Sequence, residues 1–128
     1  MSTFDELMGE VMASAERFGH REHVKLTWLA VRRCGTAAAV ELISDGIQRT
    51  ARYAGVPQKY NATVSRAWVE LTAYHMAEAP GESFDELLRR NPGLMDKRLL
   101  TRFYHSRTLA SPAARTGWVE PDLHAFPG

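Results

Sequence analysis

The chain has almost no cysteine: Cys34 stands alone among 128 residues. No intramolecular disulfide can form, and a reducing compartment is the natural expectation. Long apolar runs are missing as well. Nothing approaches the roughly 18 to 20 residues of a membrane-spanning helix, so no membrane partner is expected. The opening MSTFDELMGEVM carries acids where a signal peptide would have a basic start and an apolar centre. Together these absences point to the cytoplasm. Charge of one sign is not in excess either. Sixteen basic and fifteen acidic residues leave a net charge of +1. That gives no overall field to draw in nucleic acid, and none is expected as a partner. No segment alternates with period two over a useful length, so no sheet is expected. Repeats, low-complexity tracts and interdomain linkers are also lacking.

What remains is an ordinary globular composition, 45% hydrophobic and 24% charged. A chain this long buries about two thirds of its unfolded surface and needs no staple to fold. The expectation is one all-α domain over residues 1–128: a bundle of four main helices, two short C-terminal helices and an extended tail over 118–128. Thr3 and Glu6 have capping-box spacing. Phe4, Leu7, Met8, Val11, Met12, Ala15 and Phe18 recur with helical period, so the first helix should run to Gly19. The second spans His20 or Arg21 to Arg33. The third is expected from a Thr36 cap to Gly55, with Val40, Ile43, Ile47, Ala51 and Ala54 as its core face. The fourth runs from near Asn61 to Ala79, where Pro80-Gly81 ends it. Ser83 and Glu86 form a second capping box for the short helix FDELLRR. Asp96 is expected to cap a sixth helix through Leu99, Leu100 and Phe103. A helical turn at Pro112–Arg115 completes the set.

Two stretches carry the candidate chemistry. In FGHREHVKLTW, His20 and His23 are three residues apart, on one helical face. Imidazoles at that spacing can act as acid–base groups near neutral pH. They can also share a transition metal, which would be the cofactor in that alternative. His75, His105, His124, Glu22, Asp96 and Asp122 are the further ligands on offer. In KYNATVSRAW, Asn61 suits a helix cap. Asn61, Ser65, Trp68, Thr72 and His75 form a semi-polar stripe that either lines a pocket or faces water. Tyr60, Asn61 and Thr63 are the ligand-orienting candidates. The same region, ARYAGVPQKYNATVSRAW, imitates a helix-turn-helix, but six residues including a proline separate its two halves. That spacing loses the tight turn that aims a recognition helix.

With these residues in view, the chain resembles a family of small bacterial proteins of similar length and no assigned activity. The likeness rests on Phe18, His20, His23, Val24, Leu26 and Trp28, on Tyr60-Asn61-Ala62-Thr63, and on a tail of Tyr104, Leu109, Ser111, Ala114, Arg115, Trp118, Val119, Pro121 and Asp122. It covers roughly residues 18 to 122. The family pattern has histidine where this chain has Asn61, an amide that ligates transition metals poorly. That departure weakens the metal alternative and favours a hydrogen-bonding pocket. Arg115, set among apolar residues, is expected either to pair with Asp122 or a ligand carboxylate, or to lie over Trp118.

The functional expectation is a small-molecule-binding protein with a His-containing pocket between the second and fourth helices, whether or not it turns its ligand over. His20 and His23 would do acid–base work, and Tyr60, Asn61, Thr63 and Arg115 would hold the ligand. The alternatives are a metal protein built on His20 and His23, and an interaction module, homo-oligomeric or with a foreign partner. That module would present Met8, Met12, Trp118 and Phe126.

Overall fold

The computed structural model describes residues 3–127. Among them there are seven α-helices and no strand. The core is built by α2 (His20–Cys34), α3 (Thr36–Tyr53) and α4 (Ala62–Glu78), each packed on the other two. Gly35 alone joins α2 to α3. Its φ of 81° is a left-handed conformation that suits glycine. Thr36 is therefore the first residue of α3, and the cap is Gly35, which offers no side chain. α2 and α4 run side by side in the same sense. His20, at the start of α2, packs edge-on against Trp68, with ring centroids 4.8 Å apart. Two turns further along each helix, Trp28 and Met76 share a cavity. α3 runs the other way, and the Ser44 hydroxyl meets the Ser65 hydroxyl at 3.3 Å.

α1 covers Phe4–Met12 and buries Phe4, Leu7 and Val11. The Thr3 hydroxyl caps it, accepting from the Glu6 amide at 3.1 Å. The helix stops well short of Gly19, contrary to the periodicity. Beyond Met12 the side chains of Ala13, Ser14, Glu16 and Arg17 are exposed, and Phe18 is 36% exposed. A short helix is held by packing rather than by propensity, and past Met12 no neighbour covers it. Gly19 instead opens α2, its amide donating to Glu22 Oε1 at 3.0 Å.

Asn61 caps α4, accepting from the Val64 amide at 3.0 Å. α5 (Phe84–Arg90) has the reciprocal Ser83–Glu86 capping box. Its Arg90 binds Glu78, Glu82 and the His75 carbonyl at once, tying α5 to the end of α4. The helix expected after Asp96 is a single 3-10 turn over Leu99–Arg102 that buries Leu99 and Leu100. Two adjacent leucines facing inward suit a tight turn better than a longer amphipathic helix. α6 (Ser106–Leu109) adds a turn that the sequence pattern does not mark, while α7 (Pro112–Thr116) falls at the expected helical turn. The segment from Trp118 to Pro127 has no regular structure but is docked. The Tyr104 hydroxyl, on a fully buried side chain, donates to the Val119 carbonyl at 2.7 Å. Trp118 and Phe126 pack on Tyr104. Met8 and Met12 are half-buried against the same core.

Candidate functional site

The first turn of α2 places both histidines. His20 Nε2 lies 2.8 Å from the Leu94 carbonyl, so that nitrogen carries the proton and donates. His20 thus fastens the 3-10 turn Pro92–Met95 to α2 and α4. His23 is half-buried, with Phe18 edge-on to its ring at 6.2 Å. Burial, reinforced by the neighbouring His20, pushes its pKa down to about 4. It is therefore neutral at pH 7. Its side chain faces no cavity that the other candidate residues line. Among the described residues, no three His, Cys, Asp or Glu side chains stand close enough to share an ion.

The α4 stripe points inward. Ser65, Trp68 and Thr72 are all buried, and the Thr72 hydroxyl has no hydrogen-bond partner among the described residues. Asn61 and Thr63 are used by the fold. Besides capping α4, the Asn61 amide donates to the Leu109 carbonyl at 2.7 Å. The Thr63 hydroxyl donates to the Gly117 carbonyl at 2.6 Å and accepts from the Val119 amide at 3.1 Å. Both residues fix the C-terminal segment to the start of α4. α4 buries Thr63, Ser65, Ala67, Trp68, Val69, Leu71 and Thr72.

Tyr60 and Arg115 do come together. They line one open hollow of about 540 Å³ with Gln48, Gln58, Pro57 and Thr116. A smaller one on the other side of Arg115 adds Lys59 and Asn61. Arg115 is exposed and donates through Nη2 to the Gln58 carbonyl at 2.8 Å. It reaches neither Asp122 nor Trp118. Asp122 is taken by the Thr108 hydroxyl and the His105 amide, which hold its carboxyl at a pKa of about 2. The cation over Trp118 is Arg66, 4.2 Å from the ring centroid.

A third hollow, of about 310 Å³, does lie between α2 and α4, but two turns beyond the histidines. Trp28, Val31, Met76, Ala73, Leu87 and Pro80 give it an apolar lining. Arg32 lies over the Trp28 ring at 5.1 Å and has no carboxylate within 4.0 Å among the described residues. Glu82, at the same rim, is held by Arg90. These residues were not singled out from the sequence. The available signal was Trp28 and Arg32 at i, i+4 beside an otherwise apolar helix face. Compared with models of known families, with curated proteins and with solved structures, the chain matches none.

Proposed function

We propose that the protein binds a small amphiphilic anion in the hollow between α2 and α4. The observation that supports this is the pairing of an apolar, ligand-sized space with one uncompensated cation. A volume of about 310 Å³ lies at the lower end of small-molecule sites. Trp28, Met76 and Leu87 would take the apolar body by excluding water from it. Arg32, stacked on Trp28 and without an acid partner, would receive a carboxylate in a two-pronged contact. The reading keeps the expected location, between α2 and α4, and replaces the histidines by Trp28 and Arg32 as the groups that meet ligand.

Octanoate is a suitable probe, followed through the Met76 methyl resonance and tryptophan fluorescence. The wild type should saturate with octanoate. Arg32→Gln should weaken octanoate about tenfold or more and leave octanol unaffected, the loss expected for one charge-assisted contact. Ala73→Leu, which fills the space, should abolish both. Octanoate binding that survives Ala73→Leu unchanged overturns the proposal, as does failure of the wild type to bind either probe.

A further inference from the structure

The net charge of +1 hides a strong separation of charge. Residues 46–69 contain four basic side chains and no acid, and residues 97–119 contain five basic side chains and no acid. The rest of the chain holds seven basic and all fifteen acidic residues. The fold brings these two acid-free stretches together. α4 packs on α7. Asn61 reaches the Leu109 carbonyl, Thr63 the Gly117 carbonyl and Arg115 the Gln58 carbonyl. The seam between them is the hollow on either side of Arg115.

Not every cation of the two stretches is available. Arg66 is spent on Trp118 and Glu70. Three near the seam are exposed and have no carboxylate within 4.0 Å among the described residues: Arg52, Lys59 and Arg115. Arg52 stands one helical turn beyond Gln48, a lining residue, and so continues its face. Asp45, nearly a turn before Gln48, and Asp122, held by α6, mark the edges of the acid-free zone. Two tyrosines accompany the cations. Tyr60 lines both hollows. Tyr53, the residue after Arg52 at the end of α3, is 97% exposed, so its ring is open to solvent.

We infer that this seam is a binding surface for single-stranded nucleic acid. Spaced cations without acids match a phosphate backbone, and accessible aromatic rings beside them offer faces on which bases stack. The same cations would also attract an anionic membrane. The seam, however, is a hollow of about 540 Å³ rather than an apolar ridge that could enter lipid. An unpaired base fits such a hollow, and a stacked duplex does not present one. The inference is independent of the α2–α4 hollow, and it reverses the expectation drawn from net charge alone.

The test is fluorescence anisotropy of a labelled 15-nucleotide oligo-U at 50 and 200 mM salt. The comparators are a duplex of equal length and phosphatidylserine vesicles assayed by sedimentation. The wild type should bind oligo-U more tightly than duplex, with an affinity that falls as salt rises. The triple variant Arg52→Gln/Lys59→Gln/Arg115→Gln should bind at least tenfold more weakly and lose roughly two units of salt slope, at about 0.7 per phosphate contact. Tyr53→Ala/Tyr60→Ala should weaken binding several-fold at unchanged salt slope. Arg21→Gln/Arg89→Gln, away from the seam, should change nothing. No oligo-U binding at 50 mM salt overturns the inference. So does equal loss in the Arg21/Arg89 variant, or tighter binding to vesicles than to oligo-U. A circular dichroism melt of each variant separates loss of the surface from loss of the fold.

Discussion

At the scale of single residues, His23 is a histidine whose protonation folding opposes. Its pKa is about 4 in the folded protein and about 6.5 when exposed. Between those values the unfolded chain is protonated and the folded one is not. The unfolded state thus binds more protons, and stability falls as pH drops from about 6.5 towards 4. Above about 6.5 the imidazole is neutral in both states and contributes no pH dependence. Full development of the shift corresponds to at most about 3 kcal/mol. The carboxylates held down by partners, Glu10, Glu78, Glu82, Glu86 and Asp122, begin to titrate only near and below their ordinary range. In the unfolded chain these carboxyls start to take up protons below about pH 5.5, so the window from pH 6.5 to 5.5 isolates histidine. Urea unfolding across it should show a steep loss in the wild type and a much flatter profile in His23→Gln. A wild-type slope retained in full by the variant would refute the assignment. The histidine pair was visible in the sequence as a pair. Its orientation was not, because the partner that fixes His20 is a backbone carbonyl at Leu94, and carbonyls carry no sequence mark.

At the scale of elements, three helix starts were legible, while the cap of α3 and the end of α1 were not. Thr3, Asn61 and Ser83 each accept the amide hydrogen bond that their spacing implies, since capping is local chemistry between residues three apart. The end of α1 depends on whether something covers Ala15 and Phe18, which is a tertiary question. The packing of α1 on α3 rests on a similar long-range coincidence. Gly46 lies within α3, and a Cβ there would stand 2.1 Å from a carbon of the Phe4 ring. Glycine in a helix ordinarily costs about 1 kcal/mol relative to alanine, yet here its missing side chain is the seat of Phe4. Gly46→Ala should therefore destabilise by about 2 kcal/mol, the overpacking cost outweighing the gain in propensity. In Phe4→Ala the same change should become neutral or stabilising. A coupling of at least about 1 kcal/mol in the double-mutant cycle is the expected outcome. Simple additivity would mean that α1 shifts freely and that Gly46 has another reason to be there.

At the scale of the whole molecule, the three-helix core needs the C-terminal third to be fastened to it, and Thr63 is where that happens. Its hydroxyl bridges the Gly117 carbonyl and the Val119 amide from a fully buried position. The two partners lie 54 and 56 residues away in sequence, so KYNATVSRAW by itself leaves Thr63 free for a ligand. A buried hydroxyl on the first turn of a helix looks alike in either role until its partners are known. The Tyr104–Val119 bond and the ring cluster of Tyr104, Trp118 and Phe126 depend on the same docking. Thr63→Val keeps the shape and removes both bonds, leaving a carbonyl and an amide unpaired. A loss of about 2 kcal/mol is expected. Trypsin should then cut after Arg115 at least several-fold faster, while sites inside α2 and α4 stay protected. Were the cleavage rate after Arg115 unchanged in a variant of lowered stability, the bridge would serve α4 alone, and the C-terminal segment would be held by its aromatic rings.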